Sequence, residues 1–370
     1  MQSKKGGSTL KKLVSVTVAA VLALSVLTGC GQSGSSSAPA GSGAGSGSAA
    51  ETSGTAPTPE NPLTLKLGHV FSVDTPMDKA AKQIAEKVEE RTDGAIKIEV
   101  TAGGGLPSGA DGIEQCIRGS NYISLYDISA MADWVPDYVA LCGPFLVETR
   151  DEFAQLCESD LVAEMNAKAE EQGVKVLAIP FNFGFRNIGT RNVKVESIDD
   201  LKGMNFRVPG SQLYIETFNA LGCNSITTPS SEVYNAIQTG MADGHETSLS
   251  DMQKMQMQEV LKYITMTKHF IGLSSAVMSN EVFNSLSEEQ QNIMIEEFKA
   301  GAEWCSAEYE KQDAEALQMF KDAGVEIVEI DTTEFKEATK VVYTQEVFPN
   351  LSPDIYEKLQ AELEKIRAAA

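Results

Sequence analysis

Two arginines and a few polar neighbours offer the first chemistry. Gly203 to Pro209 reads GMNFRVP, in which Met204, Phe206 and Val208 alternate with Asn205 and Arg207. That period of two predicts a short strand with one apolar face, and Pro209-Gly210 ends it. Arg207 then stands near the carboxyl end of a strand, on its polar side. In open α/β sheets ligands bind at that edge, and a guanidinium there presents a planar fork matched to a carboxylate. A surface ion pair is the plainer role for such an arginine. Arg186 precedes it on what reads as the adjacent strand, with Asn187 beside it. Asp127 lies near the end of the strand-like run 122–128, where it could be a second polar contact, cap the next helix or be a surface acid. Thr247 follows His245-Glu246 behind a short strand expected at 241–244. His69 lies near a strand end and could line a cleft or be a satisfied structural imidazole, as could His269. Trp134 could wall a pocket or fill the core.

These residues need a scaffold of alternating strands and helices. Leu63 to Val70 alternates as a strand, and Pro76 to Arg91 follows as an amphipathic helix with Ala80, Ala81, Ile84, Ala85 and Val88 on one face. A strand at 95–100 completes a βαβ unit. Gly103-Gly104-Gly105 lies outside any G-x-x-x-x-G-K-[ST] or G-x-G-x-x-G pattern, so no phosphate-cradling cofactor loop is expected. A helix over 108–118, a loop or strand over 141–147, one helix over 151–172 and a strand over 174–180 follow. Ser230 or Ser231 caps a helix that Gly240 ends. Met252, Met255 and Met257 read as the core side of a helix. Strands at 263–269 and 271–279 precede a capping box at Ser287/Gln290. That box opens a helical pattern running to Ala323, about 54 Å long, with Gly301 as a plausible bend. A strand at 325–329 and helices over 333–348 and 353–368 end the chain.

The chain has 370 residues and a net charge of −22. Residues 1–29 hold four lysines and no acid, so without them the charge is −26. Nucleic acid is excluded as a partner at that charge, and attachment to an anionic membrane would have to rest on something other than charge. Lys4, Lys5, Lys11 and Lys12 precede the apolar run Leu13 to Leu27, the pattern of an export signal. Leu27-Thr28-Gly29-Cys30 resembles a bacterial lipobox, which implies cleavage before Cys30, acylation of its thiol and anchoring to the cell membrane. Residues 31–60 are almost entirely Gly, Ser, Ala, Thr and Pro, a flexible tether with a reach of about 30 Å. Cys116, Cys142, Cys157, Cys223 and Cys305 are widely spaced, with no CxxC or Cys/His cluster, so no metal site is expected. Unpaired thiols are unusual in an oxidising compartment. A hydrolase would need a Ser or Cys with a His and an acid, and His69, His245 and His269 stand in no such motif.

Three motifs in order carry a resemblance: Gly184-Phe185-Arg186, then Asp200 to Pro209, then Pro229 to Glu246. Together they resemble the DctP-type solute-binding proteins of TRAP transporters (tripartite ATP-independent periplasmic transporters), over roughly residues 62 to 365. The resemblance implies a two-lobe, periplasmic-binding-protein-like (Venus flytrap) α/β fold with one long helix spanning both lobes. Residues 62–183 and 273–311 would form lobe 1, and 184–272 and 312–370 lobe 2. It implies a monomeric extracytoplasmic protein, without catalysis or cofactor, that captures a small carboxylate-bearing solute (C4-dicarboxylate, sugar acid or keto acid) and delivers it to membrane permease subunits. A ligand-binding receptor for a sensor kinase would share the fold. Arg207 would bind the carboxylate and Arg186 assist. Asp127 would accept from hydroxyl or amine groups, and Asn187, His69 and Trp134 are further candidates. Many relatives carry Asn where Thr247 stands here, which bears on the choice of ligand.

Overall fold

One nine-stranded sheet runs through both lobes, because two of its strands are long enough to serve each in turn. The computed structural model describes residues 56–369. The expected signal, Cys30 and most of the tether lie outside that range. The chain opens with β1 (Leu63–Gly68), α1 (Pro76–Arg91), β2 (Ile96–Thr101), α2 (Ala110–Ile117) and β3 (Tyr122–Tyr126). Next come α3 (Tyr138–Leu141), α4 (Arg150–Cys157) and α5 (Asp160–Glu171). The strand β4 (Val174–Thr190) leads to β5 (Asn205–Val208), α6 (Gln212–Ala220), β6 (Asn224–Thr227), α7 (Val233–Thr239), β7 (Gly244–Thr247) and α8 (Leu249–Lys254). The strand β8 (Tyr263–Ser279) leads back to α9 (Asn280–Asn284) and α10 (Glu288–Asp322). The chain closes with β9 (Glu326–Val328), α11 (Thr333–Thr339) and α12 (Ile355–Ala369).

The βαβ unit forms as expected: β1 and β2 pair in parallel from Leu63/Ile96 to Gly68/Thr101. Thr75 caps α1 by accepting from the Asp78 amide, and Ala80, Ala81, Ile84 and Val88 are buried on one face. The sheet order is β2-β1-β3-β8-β4-β7-β5-β6, with β9 also on β8. β3 pairs with the 275–278 end of β8, and β7 pairs with the 187–190 end of β4. Each end of the β4/β8 ladder thus carries its own set of strands. Register shifts break the ladder at four places, one beside the Gly184/Gly272 pair. Gly184 has φ +96°, and a side chain on it would fall 2.0 Å from Asp313 Oδ2, a carboxylate paired with Arg150 at 2.8 Å. Glycine here lets an ion pair lie directly on the strand.

Several expected elements are redrawn. The single helix over 151–172 is two, because Ser159 stops one by donating to the Leu156 carbonyl and caps the other by accepting from the Val162 amide. The strands ending at 180 and broken at 270 are the continuous β4 and β8, whose bulges absorb Pro180, Gly184 and Gly272. Residues 138–141 are helical and 142–147 form no strand. The helix expected to 348 stops at Thr339 and continues as a 3-10 turn to Tyr343. The strand expected at 241–244 is β7, so His245, Glu246 and Thr247 lie in the strand itself. The helix α10 keeps its Ser287/Gln290 capping box and spans 35 residues. Gly301 serves clearance: a β-carbon there would fall 2.4 Å from Ile84 Cδ1 where α10 crosses α1. Leu359 and Leu363 of α12 share a core with Phe153 and Leu156 of α4, and Arg367 pairs with Glu152.

Cys116, Cys142, Cys157, Cys223 and Cys305 are all unbridged and buried. Burial pushes their thiols up in pKa, Cys116 and Cys223 to about 12.

Candidate functional site

A cleft of about 750 Å³ lies at the carboxyl ends of β5 and β7, a size suited to a small molecule. It is lined by Phe71, Tyr126, Asp127 and Ser129 from the chain before β4, and by Arg186, Arg207, Ser211, Tyr214, Thr228, His245 and Thr247 from β4 onward.

Arg207 is the next-to-last residue of β5 and pairs in register with His245 of β7. It is only 7% exposed. Nη2 and Nε donate to the Thr228 carbonyl at 2.7 and 3.3 Å, and no described carboxylate forms an ion pair with it. Burial pulls its pKa down to about 10, with Glu246 opposing and Arg186 assisting. The guanidinium therefore stays charged at neutral pH, and its charge has no fixed counter-ion.

Arg186 differs in this respect. Its Nε and Nη2 donate to the two carboxylate oxygens of Glu246, each at 2.5 Å, and Nη2 also reaches the Glu246 carbonyl at 3.2 Å. The ring of Tyr214 lies 4.9 Å from the guanidinium carbon and that of Phe183 5.5 Å, so the cation is walled by aromatic faces. Burial alone would lower its pKa, but the Glu246 carboxylate holds it well above the usual value. Burial would likewise raise the Glu246 pKa, yet Arg186 and His269 hold it at about 2. His269 Nε2 sits 3.3 Å from Glu246, and its Nδ1 shares a 2.6 Å hydrogen bond with Thr267. His269 is thus a satisfied structural imidazole, apart from the cleft wall.

Asp127 lines the cleft, and its oxygens are already engaged. Oδ1 accepts from the Ser129 amide at 2.8 Å, capping the 3-10 turn at Ile128–Met131, and Oδ2 accepts from the Tyr214 hydroxyl at 2.5 Å. Ser129 and Ser211 share a second hydrogen bond alongside, at 3.1 Å. Both contacts join 62–183 to 184–272. Thr247 lies in the wall at 6% exposure, opposite Asn187 of β4.

Three candidates do not reach the wall. Asn187 turns its amide to the chain, donating to the Phe185 carbonyl at 3.0 Å and accepting from the Lys268 amide at 3.1 Å. Lys268 has φ 48°, a left-handed kink within β8 at the residue whose amide this side chain accepts from. His69 is buried behind the rim with Nε2 3.5 Å from Asp78, while its carbonyl accepts from Gly104. Trp134 is half-buried against the core around Tyr138 and Val139. Sequence patterns missed Tyr126, Tyr214, Thr228 and Asp251, which also line the cleft. Of these only Tyr126 had a usable signal, since it lies in the strand-like run 122–128 beside Asp127. His245, next to Arg207, is fully buried, and burial followed by the Arg207 charge pulls its pKa to about 3, so it is neutral.

Comparison with known proteins agrees with this architecture. A TRAP periplasmic solute-binding protein from Fusobacterium, solved with bound sn-glycerol-3-phosphate, is 35% identical over 83% of this chain and 98% of that one, with a TM-score of 0.80. Another from Desulfovibrio salexigens, in complex with diglycerolphosphate, is 36% identical with the same coverage and TM-score. The sialic acid-binding periplasmic protein SiaP of Vibrio cholerae is 27% identical over 307 residues, 80% of this chain and 92% of its own length. Residues 67–349 match the bacterial extracellular solute-binding proteins of family 7, DctP. With that match and this two-lobe cleft, the chain belongs to the DctP-type solute-binding proteins of TRAP transporters.

Proposed function

We propose that Arg207 is the anion-binding residue of the cleft and that the ligand is a small hydroxylated organic acid. One observation carries the reading. Of the two buried arginines in the wall, Arg186 is neutralised by Glu246 and Arg207 has no carboxylate partner among the described residues. An incoming carboxylate or phosphate would supply it. Thr247 and Tyr126, each bearing a hydroxyl, line the same cleft. Such hydroxyl groups suit the three oxygens of a phosphate as well as the two of a carboxylate. Glycerol phosphates bound to the two solved relatives favour the first, and the sialic acid of SiaP the second. Thr247, standing where many relatives have Asn, fits a site that has changed its anionic head.

The protein acts outside the cytoplasm and serves TRAP permease subunits, as its family does. We place the lobes at 62–183 with 273–311 and at 184–272 with 312–370, except that α12 returns to the first. Closure would turn on the Gly184/Gly272 crossing and on α10. The protein would act as a monomer tethered through a lipid on Cys30. Calorimetry of a panel pairing phosphates (sn-glycerol 3-phosphate) with carboxylates (succinate, D-gluconate) tests the reading. Binding of at least one, weakened at least about 30-fold in Arg207→Ala, is expected. Equal binding by wild type and variant removes Arg207 from the site.

A further inference from the structure

We infer that Asp251 is the residue that selects hydroxylated ligands, by hydrogen bonding to a hydroxyl of the bound acid. This rests on the cleft binding a small hydroxylated acid, and it assigns a contact that no motif indicated. Asp251 lies on α8 in the cleft wall and is 4% exposed. Its Oδ1 accepts from the Tyr309 hydroxyl at 3.2 Å. The Ser248 hydroxyl lies close enough to help hold the carboxyl ionised, but no described residue completes a well-formed hydrogen bond to Oδ2, which is not among the buried polar atoms sealed from solvent without a partner. Oδ2 is therefore open to solvent, on a residue of the cleft wall, with bonding capacity to spare. A buried carboxyl left in that state is costly unless a partner arrives.

The other carboxyls of the region are excluded one by one. Both oxygens of Asp127 are taken, by Ser129 and Tyr214. Glu246 is filled by Arg186 and His269. Asp313 is filled by Arg150 and by the amide and hydroxyl of Ser250. Asp111 and Asp133 are exposed at the rim. Asp251 is the buried cleft carboxyl with an idle oxygen. Burial and then the nearby Asp313 raise its pKa to about 7, so both the charged and the neutral form are accessible at neutral pH. A hydroxyl can donate to the first and bond in either direction with the second, whereas a second anionic group would be repelled by the charged form. A hydroxyl is therefore the partner that suits Asp251 in both states.

The test compares each acid with an analogue stripped of hydroxyls: sn-glycerol 3-phosphate against propyl phosphate, and D-gluconate against hexanoate, by calorimetry. Wild type should prefer the hydroxylated member of the pair it binds. Asp251→Ala should weaken that member by about 10- to 100-fold, the range for losing a hydrogen bond to a charged or buried partner, and leave the analogue within about threefold of wild type by the same scale. Asp251→Asn, isosteric and without charge, should show a smaller loss with the same bias, and it stands in if the alanine variant fails to fold. Equal losses for both members, as a purely structural role would give, overturn the inference, and so does no loss. An affinity for the pair that survives Arg207→Ala refutes the assignment of Arg207 while leaving Asp251 to be judged on its own ratio. Wild type that binds none of the four sinks the cleft reading and this inference together.

Discussion

Replacing Arg207 by alanine should separate ligand binding from folding. The guanidinium is 7% exposed and its nearest partner is a neutral carbonyl, that of Thr228. A ligand anion about 3 Å away, in surroundings of effective dielectric near 20, would gain roughly 5 kcal/mol of gross attraction. Desolvation of the ligand takes back part of this, and truncation of one member of a buried charged pair costs about 2–5 kcal/mol. Kd should therefore rise by about 30-fold to a few thousand-fold. The folded state gives up little. The Thr228 carbonyl loses a donor, worth about 1 kcal/mol, but a buried cation without a counter-ion is removed as well. The assay is calorimetry with the tightest acid of the panel, alongside a thermal melt of the ligand-free protein. The expected pattern is lost affinity with a ligand-free Tm within a few degrees of wild type. Unchanged affinity, or a collapse of the ligand-free fold, would refute the reasoning, since either would mean that Arg207 already has its partner inside the protein.

Arg186 should behave in the opposite way. Glu246→Gln leaves that cation buried and uncompensated and should destabilise the ligand-free protein by about 3–5 kcal/mol in urea unfolding. The Glu246 pKa falls from 4.5 to about 2 on folding, so its contribution is complete above about pH 4.5 and drains away as pH falls toward 2. The Gln variant should lack that acid-side slope. Tyr214→Phe removes the hydroxyl that reaches Asp127 across the cleft, while its ring can stay packed on Phe270 at 4.7 Å. Small-angle scattering of the ligand-free variant should show a larger radius of gyration, and an unchanged radius would argue that the contact does not hold the lobes. Cys30→Ser should move the protein from the membrane fraction to the soluble fraction of cells, and continued sedimentation with membranes would rule out the lipid anchor.

Local patterns were legible where local chemistry decides the outcome. Gly240 takes the left-handed conformation, φ 79°, that ends α7, and Ser287 with Gln290 forms the capping box that opens α10. The alternation around Arg207 placed it at the carboxyl end of β5. Burial was harder to read. Asn205 and Arg207 share one side of the pattern, yet Asn205 is exposed and Arg207 buried, because strand alternation does not reveal which lobe closes over a strand end. Pro180, Gly184 and Gly272 read as breaks because a proline or glycine interrupts a flat strand, whereas β4 and β8 take them up in bulges. The contacts that complete the cleft, Tyr214 with Asp127 and Tyr309 with Asp251, join residues 87 and 58 positions apart. No helical or strand period links such pairs. The cap at Asp127 is legible in the sequence, whereas the tyrosine that fills its second oxygen emerges only in three dimensions.

The sealed cysteines bear on how the protein survives outside the cytoplasm. Attack on a foreign disulfide requires a thiolate within reach of solvent, and at Cys116 or Cys223, with pKa values near 12, that form is a negligible fraction at neutral pH. Once folded, the chain therefore has no accessible nucleophile among these five with which to scramble or cross-link its neighbours. Its vulnerable moment is translocation, before the core has formed around the thiols.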